Sequence, residues 1–264
     1  MSIAADLTHG HILKFLAADS PWRSNIRVVE TTGSTNADLL AAAAQGVPER
    51  TILVAEHQTA GRGRLQRIWS NNPGRDLIFS LLLRPRLDLQ VLPSITLAVG
   101  LAVQMLIAEK VAAPVGLKWP NDVLAAGKKI SGILCETILT DVPMVVVGIG
   151  INVNTLRHQL PEELRETATS LQILTETVFD RGQLLVNLLS YTEHFYRRWM
   201  EEREMVFREW EKKSAIRGKT LTIVEGDTIF QARAEGLDEW GRLAVDVDGR
   251  RRVVGSGEII LPEE

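Results

Sequence analysis

"KKISGILCETIL", Lys128 to Leu139, and "MVVVGIGINVN", Met144 to Asn154, decide how this chain folds. Each reads as a strand, and the short "TDVP" between them reads as a hairpin turn. Antiparallel partners in such a hairpin have position sums near ~282. That register puts Lys129 beside Asn152 or Val153, and Gly132 close to Gly150. Glycines on facing strands remove side chains and let a flat ligand lie on the sheet. Tight sheet packing would also explain the glycines, but not the lysine and asparagine beside them. Asn152 offers a donor and an acceptor at that same end.

Outward from the hairpin, "RVVETT", "TILVAEH", "DLIFSLLLRP" and "GLKW" read as further strands. "STNADLLAAAAQG" reads as a helix with Thr35 as its cap and Gly46 as its stop. An apolar helix follows at 92–110. A long, broken helix runs from Asp180 to about Lys213, capped by Asp180 and Gln183, with Leu184, Leu188, Phe195 and Trp199 at helical spacing. Residues 1–25 say little beyond one short helix around "HILKFLAA". Strands and helices do not alternate regularly, which predicts an α+β fold with a mixed sheet rather than a doubly wound one. After Gly218 the chain becomes short alternating strands cut by Gly and Asp, with a hairpin signal at Asp248–Gly249. So small a unit predicts a tightly curled barrel. Two domains are expected, 1–217 and 218–264.

Composition excludes several classes. The 264 residues carry a formal net charge of -3, with a pI of about 6.0, less basic than a dedicated DNA binder. Cys135 is the single cysteine, which excludes an internal disulfide and a Cys-rich zinc site and fits a reducing, cytoplasmic setting. The first ten residues lack the basic start and apolar core of a secretion signal. The most apolar stretch, Leu92 to Ala108, carries Gln104 and falls short of a comfortable membrane span. There is no HExxH, no GxSxG and no GxxxxGK[ST], and the five histidines do not cluster.

Four other stretches carry possible chemistry. "GRGRLQRIW", Gly61 to Trp69, belongs to a run with four arginines and no acid between Thr59 and Arg75. Its glycines free main-chain N–H groups, and Arg62, Arg64 and Arg67 can grip phosphate or carboxylate; a plain solvated loop reads the same way. "TTGSTNAD", Thr31 to Asp38, bunches Ser34, Thr35 and Asn36 at a helix start, either to hold a small polar head group or simply to cap. "KWPND" offers Lys118 to phosphate and Asp122 to magnesium, or is a strand exit. "GKKISGIL" places Lys129 where a cation could stabilise charge developing on an acyl group, or at the surface.

Taken together, "TTGSTNAD", "AEHQTAGRGRLQRIW", "KWPNDVL", "KKISGILCE" and "VVVGIGINVN" resemble biotin–protein ligase, also called biotin–[acetyl-CoA-carboxylase] ligase, over nearly the whole chain. The resemblance implies a catalytic domain related to class II aminoacyl-tRNA synthetases and a small SH3-like C-terminal barrel. It implies that biotin and ATP, with Mg2+, give biotinyl-5′-AMP and pyrophosphate. Biotin then passes to a lysine of a biotin carboxyl carrier protein of an acetyl-CoA or acyl-CoA carboxylase. By motif, Ser34, Thr35, Asn36, Gln58 and Lys129 would contact biotin, and Gly132 and Gly150 would line its slot. Gly61, Arg62, Gly63 and Arg64 would belong to the closing loop, with Arg64 retaining the adenylate. Lys129 and Arg64 are thus the implied catalytic residues. Arg67 and Lys118 would face phosphate, Trp69 would stack near the adenine, and Asn121 and Asn152 would meet the nucleotide. Asp122 would lie near the metal.

Leu65 and Gln66 stand where the family loop often has an arginine and a glycine, and His57 where a tyrosine is common. The thirty residues before Thr31 are too few for the family's winged helix-turn-helix, so neither repressor function nor DNA as a partner is expected. A lipoate ligase or octanoyl transferase shares the fold but has no ureido ring for Ser34–Asn36 to recognise. A nucleic-acid binder would need more net basicity.

Overall fold

A computed structural model describes residues 6–261. The outer ends of the two expected domains, and the first five residues of the stretch tested for a secretion signal, lie outside the described residues. The strands and helices run in the order α1 (His9–Phe15), β1 (Ile26–Thr32), α2 (Thr35–Ala44), β2 (Ile52–Gln58), β3 (Leu77–Leu83), α3 (Ile95–Ala108), β4 (Val115–Lys118), β5 (Asp122–Ala125), β6 (Lys128–Ile138), β7 (Met144–Ile151), α4 (Leu171–Thr175), α5 (Arg181–Glu201), α6 (Arg203–Lys212), then β8 (Thr220–Glu225), β9 (Thr228–Leu237), β10 (Leu243–Val247), β11 (Arg250–Val254) and β12 (Glu258–Ile260).

The first seven strands form one sheet in the order β1-β2-β3-β7-β6-β5-β4. Only β1 and β2 pair in parallel; the other neighbours are antiparallel. The mixed sheet with helices, as the resemblance implied for the catalytic unit, stands. The hairpin register holds too: Ser131 faces Ile151 and Gly132 faces Gly150. Below that point the ladder splits. Asn152 N still donates to Ile130 O, but Lys129 turns its backbone to Thr167 and Thr169.

Burial explains the sequence texture. Every residue of β3 is buried: one set of its side chains joins the core shared with α3 and α5, while α2 covers the other face with Leu39 and Ala43 against Leu82 and Val146. A strand covered on both faces reads as a continuous apolar run. The long helix breaks at Glu202, and Asp180 caps its start by accepting from Gln183 N. The cap of α2 is Ser34, one residue before the expected Thr35. Strand β5 was hidden in the sequence, because "KWPND" reads as turn residues that in fact join β4 to β5. The N-terminal segment is anchored rather than idle. Arg181, 1% exposed, is held by Asp6 and by Glu56 of β2.

The expected SH3-like barrel is not there. The last five strands pair in the order β11-β10-β9-β8-β12, and the two outer strands do not pair with each other. The sheet is open. Closure would need β12 to reach β11, but its three residues instead lie along β8. The apolar face does not have to close on itself, because the larger unit covers it. Trp119 Nε1 donates to Gly241 O at 3.1 Å, and a Cβ on Gly241 would collide with Ser94, Leu97 and Phe207. Leu221, Ile223, Val245 and Ile259 join the same core as α3 and α6. The predicted hairpin at Asp248–Gly249 is present, with both residues in the left-handed region that such turns require.

Candidate active site

A cleft of about 1290 Å³ opens at one end of the larger sheet, roofed by the loop Gly61–Trp69 and bounded by β12. It is lined by Ser34, Thr35, Asn36, Gln58, Arg62, Gly63, Arg64, Arg67, Trp69, Lys118, Asn121, Asp122, Lys129, Gly132, Gly150 and Asn152. These are all the sequence-expected site residues except Gly61. Residues scattered over more than a hundred positions converge because β1, β2 and β7 end, and β6 begins, on the same side of one sheet.

One end of the cleft is neutral, buried and closely hydrogen-bonded. Thr35 donates to Gln58 Oε1 from its backbone N at 2.7 Å and from its hydroxyl at 2.9 Å. Ser80 Oγ lies 2.6 Å from Asn36 Oδ1 and 2.7 Å from Thr35 Oγ1. Asn36 Nδ2 donates to Leu134 O and to Glu136 Oε2. A Cβ on Gly148 would run into Asn36 Oδ1. Ser80, Glu136 and Gly148 were not singled out from sequence. A lone hydroxyl inside "LIFSLLL" was the available signal for Ser80.

The other end is cationic. Lys118, half-buried, has its pKa lowered by loss of hydration, partly opposed by Asp122. Burial also lowers the pKa of Arg64, with Asp122 and Glu258 opposing. Arg64 Nη1 donates to Gly257 O at 3.2 Å, Arg67 pairs with Glu258, and Arg62 pairs with Glu136 at 3.4 Å. Lys129 Nζ lies 2.7 Å from Asp122 Oδ1 but off the hydrogen-bonding angle, so this buried oxygen has no hydrogen bond. Each of these cations except the half-buried Lys118 thus leans on an acid or carbonyl of the chain. Glu258, on β12, was another residue that sequence reasoning missed.

The loop between these ends folds back on itself. Arg62 bridges Ile68, and Trp69 N donates to Gly61 O at 2.9 Å. Gly61 is a steric requirement, since a Cβ there would strike Trp69 O and Gln58. Gly63 is not, because a Cβ would meet only ordinary contacts. Leu65 and Gln66 both take positive φ, 53° and 58°. An L-residue held there costs about 1–2 kcal/mol, so the two departures from the family loop sit where the backbone favours glycine. The Trp69 indole lies on the floor made by Gly132 and Gly150, its Nε1 buried without a partner and Lys129 Nζ 5.5 Å from its ring centroid. Asn152 Nδ2 is committed to Thr169 O, and Asn121 Nδ2 to Ile133 O.

A pocket of uncharged donors and acceptors joined to a cationic end suits a ligand with a polar head and an anionic tail meeting a phosphate. Comparison with known proteins agrees. Residues 28–154 match the Biotin/lipoate A/B protein ligase family, and residues 218–261 match the biotin protein ligase C-terminal domain. The chain is 39% identical over 253 residues to the biotin–[acetyl-CoA-carboxylase] ligase of Mycobacterium tuberculosis, covering 94% of this chain and 92% of that relative. It is 35% identical over 237 residues to the bifunctional ligase/repressor BirA of Bacillus subtilis, covering 89% of this chain and 72% of BirA. The biotin protein ligase from Aquifex aeolicus in complex with biotin and ATP superposes with a TM-score of 0.78 at 32% identity, covering 91% of this chain and all of that one. This chain therefore belongs to the biotin–protein ligase family and is an ATP-dependent ligase that attaches biotin to a carrier protein.

Proposed function

We propose that the neutral end of the cleft holds biotin's ureido head and the cationic end brings its carboxylate to ATP. The observation that supports this most is the join itself: Asn36 and Lys129 open onto one cleft across the Gly132–Gly150 floor. Ser34, Thr35, Asn36 and Gln58 would meet the head group, with Gly132 and Gly150 beneath the tail once Trp69 moves off them toward the adenine. Arg67, Lys118, Asn121 and Asn152 would face the nucleotide. Two like charges, a carboxylate and the α-phosphate, must approach, and Lys118, Lys129 and the arginines offset that repulsion.

A carboxylate oxygen of biotin bonds to the α-phosphorus, and the bond to the β-phosphate breaks to release pyrophosphate. An unprotonated lysine amine of the carrier then attacks the acyl carbon. The C–O bond to AMP breaks, AMP leaves with the electron pair, and the amine's extra proton passes to solvent. Arg62 and Arg64, on the loop, would keep water and stray amines from the adenylate. Magnesium fits as an ion brought by ATP. Asp122 Oδ1 is a buried oxygen without a hydrogen bond, and no group of three or more metal-binding side chains occurs among the described residues. Asp122 would be its one protein carboxylate, and the ion would neutralise phosphate charge.

The acceptor in this reading is the carrier protein of an acetyl-CoA or acyl-CoA carboxylase, and the setting is cytoplasmic. No helix among the described residues is long and apolar enough to cross a membrane. Residues 1–217 would carry the chemistry, while 218–264 would close the nucleotide end through β12. Mass spectrometry of such a carrier domain incubated with biotin, ATP and magnesium tests the reaction. A gain of one biotin that disappears without ATP is expected; no gain, or a gain independent of ATP, contradicts it.

A further inference from the structure

Glu136 does not line the cleft, yet it touches two residues that do. Its Oε2 accepts from Asn36 Nδ2 at 2.8 Å and from Arg62 Nη2 at 3.5 Å, and its Oε1 lies 3.4 Å from the same Nη2. The first partner begins α2, and the second sits on the loop Gly61–Trp69. Among the described residues, Arg62 has no other carboxylate partner.

We propose that Glu136 is a positioning residue of the ligase reaction: it orients the Asn36 amide for biotin and, through Arg62, couples a filled head-group pocket to the closed loop. This rests on the proposed assignment of Asn36 to biotin's head group and of Arg62 to the loop that shields the adenylate.

A carboxylate only accepts, so it forces Asn36 to turn Nδ2 toward it. The second Nδ2 hydrogen goes to Leu134 O at 3.2 Å. Oδ1 is then the end that faces Ser80 Oγ, 2.6 Å away, and it keeps a lone pair for an N–H of the ureido ring. The same carboxylate holds Arg62. One ionised group therefore satisfies a donor of the pocket and a cation of the loop together. A glutamine keeps an oxygen for Asn36 but lacks the negative charge that holds Arg62, and its N–H₂ takes the place of the Oε1 that lies 3.4 Å from Arg62 Nη2. The Arg62 side chain is 46% exposed, so the tether is modest and weakened by salt.

The test is a double-mutant cycle on the release of biotinyl-5′-AMP, using Glu136→Gln, Arg62→Ala and the pair, with Asn36→Ala measured for biotin affinity. Glu136→Gln is expected to speed release about 2- to 5-fold. In the Arg62→Ala background it should add less than ~1.5-fold, since the partner is already gone. The KM for ATP should stay within about twofold, which a general loss of structure would not allow. Full multiplication of the two single effects, or an unchanged release rate in Glu136→Gln, overturns the coupling while leaving the head-group assignment intact. An unchanged biotin affinity in Asn36→Ala overturns that assignment, and the proposal with it.

Discussion

The two ends of the cleft are built by different rules. At the α2 end, neutral groups on three elements satisfy one another: Thr35 with Gln58, Asn36 with Ser80, all under 9% exposed. At the loop end, Arg62, Arg67 and Lys129 rest on Glu136, Glu258 and Asp122, partners that a phosphate or carboxylate ligand can replace. The contrast teaches that one end is shaped before any ligand arrives, while the other holds its charge in exchangeable pairs. Buried polar groups left unmatched cost more than exposed ion pairs gain, so the first end should be brittle and the second tolerant.

The largest effect should come from Lys129→Ala. A cation aimed at charge that develops in the transition state commonly contributes about 100-fold or more. Single-turnover pyrophosphate release should slow by that order, with ATP binding little changed; a rate within about twofold of the parent would remove Lys129 from the chemistry. Glycine substitutions separate the ends next. Gly148→Ala drives a methyl into Asn36 and should lower stability by about 1–3 kcal/mol, read as a fall in melting temperature. Gly63→Ala, where a methyl would meet only ordinary contacts with Arg67, should be neutral or stabilising by up to about 1 kcal/mol. Equal losses would erase the distinction between brittle and tolerant ends.

Arg64→Gly should still permit adenylate formation while releasing biotinyl-5′-AMP about tenfold faster, the scale of a hydrogen bond to a charged group. A streptavidin blot of bystander protein should darken; a clean blot with an unchanged off-rate would leave Arg64 without a retaining role. The smallest effect is a pH limb. Burial lowers the pKa of Lys118, so its charged form is disfavoured in the fold. That penalty is present below the folded pKa and is relieved as pH rises through it toward the ordinary lysine value. Binding of an ATP analogue should weaken over the same alkaline window, so stability and nucleotide affinity move in opposite directions. Lys118→Arg should shift the limb to higher pH, and identical limbs in both proteins would contradict the assignment.

Much of this was legible in the sequence because local pattern and global pairing agree. Alternation and a four-residue turn fixed the β6–β7 register, which brought Gly132 against Gly150 and aligned the motifs at one end of the sheet. What stayed hidden depended on partners far along the chain. Ser80 reads as one hydroxyl in a core strand until Asn36 and Thr35 lie on it. Glu136 reads as the polar position of an alternating strand. The barrel was inferred from strand length and turn spacing, which cannot reveal that α3 and α6 already cover the apolar face. The cap of α2 shifted by one residue, an error within the reach of any boundary set by side-chain type alone.

Calorimetry of biotin and of a non-hydrolysable ATP analogue against Asn36→Ala and Lys118→Ala tests the division most directly. A crossed result is expected. Asn36→Ala should weaken biotin about tenfold or more, from an unmatched buried group, and leave the analogue within about twofold; Lys118→Ala should do the reverse. Both substitutions weakening both ligands alike would show a single undivided site and contradict it.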